Sequence, residues 1–204
     1  MSRKLTIWST GNVVVLGLLL ALACAAVYWP GMGGAFLMDD YPNIISNPAI
    51  HATSATWESM KAAALAYHMG GRPLATITFA LNHAVGGLDP WGYKVAGLAV
   101  HAVNALLVFF LLLRITSIRR AGDGWSRAAV FAVALVWAIH PLQVSTVLYV
   151  VQRMETLSLT FVLLALLAYL RGRTRQIDGQ RGWHWLIGSA LLAADGLLSR
   201  ASVD

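Results

Sequence analysis

Runs of about twenty apolar residues recur along this chain, and that feature limits its fold more than any other. A run of that length spans a hydrocarbon layer about 30 Å thick when helical. Lipid offers no partners to backbone polar groups, so such a run must be helical. The first run is Asn12 to Trp29 and the second Trp91 to Leu113. The third extends from about Trp125 to Ile139 and stops at His140-Pro141. The fourth is Met154 to Leu170 and the fifth Trp183 to Leu198. The expected fold class is therefore all-α: a polytopic membrane protein with about five transmembrane helices, and a short helix at Leu142 to Val151.

Composition agrees. Of 204 residues, 58% are hydrophobic and 12% charged; mean hydropathy is +0.65. A soluble domain carries about 25% charged residues, so this chain cannot coat a water-facing surface. The net charge of +6 could suggest nucleic acid, but its distribution argues against a nucleic-acid partner. Basic residues gather at Arg3 and Lys4, at Arg114, Arg119, Arg120 and Arg127, and at Arg171, Arg173, Arg175 and Arg181. These are alternate loops, which the positive-inside rule assigns to the cytoplasmic side. The N-terminus is then cytoplasmic, and the segment 30–90 and the turn around His140 to Glu155 face outward. A cleaved signal peptide is the alternative for the first run. Because that run continues past Cys24 to Trp29, a retained helix is expected. The single cysteine, Cys24, permits no internal disulfide.

The outer segment 30–90 carries its own helical signals. Thr56 suits an N-cap for a helix in which Trp57, Met60, Ala64 and Leu65 share a face. Pro73 suits a first helical position, ahead of a stripe of Leu74, Ile77, Leu81, Ala84 and Val85. Both stretches are too short to span and are expected to lie along the outer interface. Gly86 to Pro90 reads as a turn.

Several polar residues stand out against this background. Asp39 and Asp40 are adjacent, just beyond the first span and the Gly31-Met32-Gly33-Gly34 stretch. Paired carboxylates suit a general base or a metal ligand; a solvated turn, helped by Pro42 and Asn47-Pro48, is the competing reading. Arg72 and Arg153 lie on the outer side, where arginine can hold a phosphate through parallel hydrogen bonds or snorkel at an interface. Apart from these, only Lys61 and Lys94 are basic on that side before the last span, and topology explains none of the four. Glu155 follows Arg153 closely. His101 and Asn104 share a face within the second span, where helix packing is the simplest account. His140 ends a helix and stands near the outer site, and Asp195 lies near the outer end of the last span. His51, His68 and His83 lack metal-ligand spacing such as HxxxH.

Phe36-Leu37-Met38-Asp39-Asp40-Tyr41 and Ile44 to Pro48 resemble the first outer loop of the family of membrane proteins with transmembrane helices and TPR repeats. The resemblance continues through Arg72-Pro73-Leu74, Thr78 to Asn82 and Gly86 to Pro90, then His101 to Leu107, Ala138 to Pro141 and Val150 to Glu155. It covers roughly Phe36 to Tyr169. That family is similar to the protein O-mannosyltransferases and other GT-C-type glycosyltransferases. The resemblance implies a sugar donor linked to a polyprenyl phosphate, and a protein or glycan hydroxyl as acceptor. It implies Asp39 or Asp40 as the catalytic carboxylate, Arg153 with Arg72 at the donor phosphate, and His140, Glu155, His101 and Asn104 lining the site. The reaction would invert the anomeric carbon without a nucleotide. No cofactor is implied, and a divalent metal is left open.

Members of that family have about twice as many spans and a C-terminal TPR domain. The chain is thus expected to be a single transmembrane domain over 1–204, an N-terminal fragment with part of an active site that need not be active alone. Val151-Gln152-Arg153-Met154 has a bacterial character, which places the chain in a bacterial inner membrane with 30–90 periplasmic. Two other classes compete: a non-catalytic membrane anchor or scaffold of a TPR protein, and a transporter segment. Convergence of the outer carboxylates and arginines on one cavity distinguishes the enzyme from the anchor. A polar path through the spans would mark a transporter, but the broken helices that transporters use are not evident.

Overall fold

A computed structural model describes residues 10–65, 72–118 and 127–198. Arg3, Lys4, His68, Arg119, Arg120, Trp125 and the end of the chain from Ser199 lie outside the described residues, as do the Arg127 and Asp195 side chains.

Every described regular element is helical. α1 is Thr10–Tyr28, α2 Trp57–Leu65, α3 Pro73–Gly86 and α4 Pro90–Ile118. α5 is Arg127–Ala138, α6 Gln143–Leu148, α7 Arg153–Ile177 and α8 Trp183–Leu198. The five expected spans correspond to α1, α4, α5, α7 and α8. Three of them are long and apolar enough to cross a membrane, at Asn12–Gly31, Pro90–Ile118 and Val150–Ile177. α5 and α8 are apolar but shorter, with 12 and 16 residues. The chain is a multi-pass membrane protein.

Helix boundaries follow local chemistry. The Thr56 hydroxyl accepts the Ser59 amide, as an N-cap should. Pro73 opens α3 without losing a hydrogen bond that the helix needs. α3 ends at Gly87, whose φ of 60° is costly for any residue with a side chain. Asp89 then accepts the Trp91 amide and starts α4. α5 stops before Pro141, which has no amide to continue the ladder.

Helix α4 is the hub. It packs against α1, α5, α6 and α7, while α8 packs on α7. Two apolar clusters result. The bundle cluster includes Leu20, Cys24, Tyr28, Phe109 and Ala134. The outer cluster joins segment 36–80 to the outer ends of α4 and α7 through Phe36, Ile44, Ile50, Phe79, Tyr93 and Met154. The α3 stripe points the other way: Leu74, Leu81 and Val85 are exposed, whereas Ala75, Thr76, Phe79 and Ala80 are buried. The outer face of α3 is thus apolar and uncovered by protein, as an interfacial helix requires. On α2, Ala63 is buried and Met60 packs on the outer cluster, while Trp57 and Leu65 face outward. The face expected from Trp57, Met60, Ala64 and Leu65 is therefore split between protein and surroundings.

Small residues let α7 and α8 approach closely, the usual device where water cannot drive helices together. A side chain at Gly172 would meet Leu186 at 2.9 Å and the Gly182 carbonyl at 3.1 Å. Ser158 donates to the Gly196 carbonyl at 2.5 Å, and Ser189 donates to the Ala165 carbonyl at 2.8 Å. Gly188, on α8, would meet nothing within 4 Å. Replacing Gly172 by leucine should therefore destabilise the detergent-solubilised protein by about 1–3 kcal/mol, the usual cost of overpacking. Gly188→Leu should leave its melting temperature unchanged. Thermal unfolding of both variants checks this, and equal effects would show that the α7–α8 contact does not set stability.

Candidate functional site

The chain leaves α1 through a short 3₁₀ turn, Trp29–Gly31, and then doubles back over the outer end of the bundle. Lys94 pins this reversal. It is 3% exposed, and its ammonium donates to the carbonyls of Gly34 at 2.7 Å and Gly31 at 3.3 Å. A side chain at Gly34 would collide with that ammonium, and one at Gly31 with Leu148. Gly31 and Gly34 therefore serve close packing around this reversal, whereas a side chain at Gly33 would meet nothing within 4 Å. Lys94 thus has a packing role that the charge pattern of the loops did not account for.

The next turn presents the two aspartates differently. Asp40 is 1% exposed. One carboxylate oxygen accepts the Leu37 amide at 3.0 Å and the other the Val151 amide at 2.8 Å. Burial holds its carboxyl above the ordinary carboxylate range; the amides of Leu37, Val151 and Val150 and the charge of Lys94 pull the other way. Met38 adopts φ 33°, a conformation that L-residues rarely take, so the turn needs external ties. Asp39 is exposed. Its amide donates to the Tyr149 hydroxyl at 2.7 Å, and its carbonyl accepts from the Asn43 side chain at 2.7 Å.

Asp39 lines an open cleft of about 200 Å³ together with Asn43 and Arg72. Val151, Gln152, Met154 and Glu155 form the other wall. Arg72, just before α3, pairs with Glu155 of α7 at 3.0 Å and donates to the Met154 sulfur at 3.5 Å. The cleft thus brings an exposed carboxylate and a cation together with neutral amide groups.

Not all the residues expected at this site reach the cleft. Asp40, expected beside Asp39 as a catalytic carboxylate, lies out of solvent with both oxygens accepting amides, so it ties the turn and does not line the cleft. Arg153, expected at the donor phosphate, is 2% exposed. Its guanidinium donates to Asn82 Oδ1 at 2.5 Å and to the carbonyls of Tyr93 at 3.3 Å and Thr78 at 3.4 Å. It also lies over the rings of Phe79 at 4.6 Å and Tyr93 at 5.7 Å. Arg153 therefore cements α3, α4 and α7 behind the cleft wall. His140 is exposed and accepts the Leu142 amide at 3.2 Å, which caps the turn into α6. His101 is buried in the bundle, donating to the Ala138 carbonyl at 2.8 Å between Tyr28 and Trp137. Asn104 donates to the Thr156 carbonyl and accepts from the Thr160 hydroxyl. These last two are helix-packing groups, and neither lines the cleft. Of the residues expected as site lining, Glu155 alone lines it.

Sequence reasoning missed Asn43, Gln152 and Tyr149 as site residues. Asn43 lies four residues beyond Asp39 in a turn, which was a usable signal; the reach of Tyr149 across 110 residues had none. Among the described residues, no three His, Cys, Asp or Glu side chains group to hold a metal. His51 and His83 stack at 4.5 Å, each bonded to a backbone carbonyl, of Ile44 and Ala52 respectively.

Asp40 yields a pH prediction. Its folded-state carboxyl binds a proton more tightly than the unfolded chain does, so the folded state gains most at low pH. That gain is lost as pH rises from the ordinary carboxylate value of about 4 through the raised value. Asp40→Asn should remove this slope. It should also lower stability by about 1–3 kcal/mol, because one amide donor then faces an amide nitrogen. Thermal melts of both proteins across this pH range provide the check.

Comparison with known proteins adds the relationship. The chain is 35% identical over 133 residues to human protein O-mannosyl-transferase TMTC2, covering 64% of this chain and 15% of that protein. It is 30% identical over 183 residues to Drosophila melanogaster protein O-mannosyl-transferase Tmtc2, covering 85% of this chain and 19% of that one. Mouse protein O-mannosyl-transferase TMTC3 is 28% identical over 163 residues. The chain thus spans less than a fifth of the length of these relatives. No protein-family model and no solved structure matches it.

Proposed function

Because this chain is a relative of the TMTC-family protein O-mannosyl-transferases, we propose that its outer cleft is the reaction site of a membrane glycosyltransferase. The donor is a sugar, mannose by the names of the relatives, carried on a polyprenyl phosphate. The acceptor is a hydroxyl of a protein. One observation supports this reading: Asp39 and Arg72, from separate segments of the chain, line the same cleft.

In the proposed reaction, Asp39 accepts the proton of the acceptor hydroxyl as its oxygen attacks the anomeric carbon. The bond from that carbon to the phosphate oxygen breaks, and the phosphate keeps the electron pair and stays on its lipid. Arg72 balances the developing negative charge, where a preformed cation is most effective. Attack opposite the departing phosphate inverts the anomeric carbon. Arg72 is held toward the cleft by Glu155, whose side chain is 42% exposed and can yield to a phosphate. The apolar outer face of α3 begins immediately after Arg72 and offers a place for the lipid chain beside the bilayer. With the basic loops cytoplasmic, the cleft opens on the opposite side, which in a bacterial inner membrane is the periplasm.

The full chain in lipid nanodiscs, supplied with radiolabelled mannosyl-phosphoryl-polyprenol and a serine- and threonine-containing peptide, provides the test. Arg72→Ala should weaken donor binding by about tenfold or more, as expected for loss of a charged hydrogen bond. Asp39→Asn should leave donor binding intact and reduce transfer by about 10²- to 10⁴-fold. A purely anchoring protein would bind no donor, or would bind it regardless of Arg72, and either result would end this reading.

A further inference from the structure

Tyr149 does not line the cleft itself, but its hydroxyl meets the main chain of Asp39, which does. Tyr149 lies between α6 and the 3₁₀ turn Val150–Gln152, with an extended backbone at φ −90° and ψ 112°. That break between two helical pieces leaves Tyr149 half-buried. Its hydroxyl accepts the Asp39 amide at 2.7 Å. Two residues later, the Val151 amide donates to the Asp40 carboxylate at 2.8 Å. One corner of the chain therefore grips two successive aspartates. A side chain of the corner takes the main chain of Asp39, and the main chain of the corner takes the side chain of Asp40.

We infer that Tyr149 is a positioning residue that fixes the Asp39 carboxylate in the cleft, as the third member of the site beside Asp39 and Arg72. The inference rests on the cleft being the transfer site. The phenol stays protonated at neutral pH: desolvation raises it above its ordinary value, the Asp39 amide opposes that rise, and the carboxylates of Asp39 and Asp40 add to it. A protonated phenol can accept from an amide and donate to a carboxylate at once. Asp39 follows a residue at positive φ and is exposed, so without this tie its carboxylate would sample many directions. A general base must stand within hydrogen-bonding reach of the proton it takes, and misplacement by about 1 Å can cost about 100-fold in rate.

The variant Tyr149→Phe keeps the ring and removes the hydroxyl. In the full chain in nanodiscs, amide hydrogen exchange at Asp39 should accelerate about fivefold or more, as loss of one hydrogen bond dictates. Exchange at Val151, held by Asp40, should not change. With mannosyl-phosphoryl-polyprenol and the peptide as probes, donor binding should stay within about twofold. Transfer should fall by about 10- to 100-fold in kcat, a split that general loosening of the fold would not produce. Unchanged exchange at Asp39 overturns the inference whether or not the chain turns over, and so does wild-type transfer by Tyr149→Phe. Asp39→Asn separates the two claims. Full transfer by Asp39→Asn refutes the reading of the cleft, whereas loss of transfer there with full transfer by Tyr149→Phe refutes the positioning role alone.

Discussion

The Asp40 carboxylate accepts amides from two parts of the chain that are 114 residues apart, Leu37 and Val151. With Lys94 on the adjoining carbonyls, it ties the reversal after α1 to the start of α7. Both groups are out of solvent, and a buried charge is retained only where other charges and dipoles compensate it. Those partners are available in one arrangement of the turn. The strained Met38, the exposure of Asp39 and the outer wall of the cleft all follow from that arrangement.

Beneath this turn, the bundle is organised by polar ties between helices. The Leu142 amide that would close onto the Ala138 carbonyl at the end of α5 donates to His140 instead. That carbonyl accepts both Tyr28 of α1 and His101 of α4, each at 2.8 Å, so three helices meet at one oxygen. Asn104 joins α4 to α7 in the same manner. Polar groups in an apolar bundle are costly unless paired, so each such tie fixes a helix register. Arg153 plays the corresponding part at the outer end, where carbonyls, an amide oxygen and two aromatic faces surround its charge. The proposed reaction cleft thus lies on this tied frame, with Asp39 and Arg72 in the segments that border it.

Much of this frame was legible in the amino-acid order. Trp183 to Leu198 matches α8 end for end, and Thr56, Pro73 and the Gly86 to Pro90 turn act as their chemistry suggests, because capping and backbone restriction are local effects. The unexplained outer lysine, Lys94, pointed to a real structural demand. What could not be read was which way side chains point. Asp39 and Asp40 are neighbours with the same chemistry, and the distinction between them comes from the distant Tyr149 and Val151. Arg153 was expected at the donor phosphate with Arg72 assisting, yet Asn82 and Tyr93 draw Arg153 inward while Glu155 pairs with Arg72 at the cleft. The apolar stripe on α3 was correctly seen, but whether it met protein or lipid depended on the competing face of Ala75, Thr76, Phe79 and Ala80.

The central claim is that a sugar phosphate on a lipid carrier occupies the cleft between Asp39 and Arg72. Photo-crosslinking tests it most directly, using a polyprenyl-phosphate mannose that bears a diazirine on the sugar, with the full chain in nanodiscs and mapping by mass spectrometry. The account predicts labelling concentrated on the walls of the cleft, at Asn43, Val151, Gln152, Met154 and Glu155, and competed away by unlabelled donor. Competable labelling confined to the bundle helices, or none at the cleft, would contradict it.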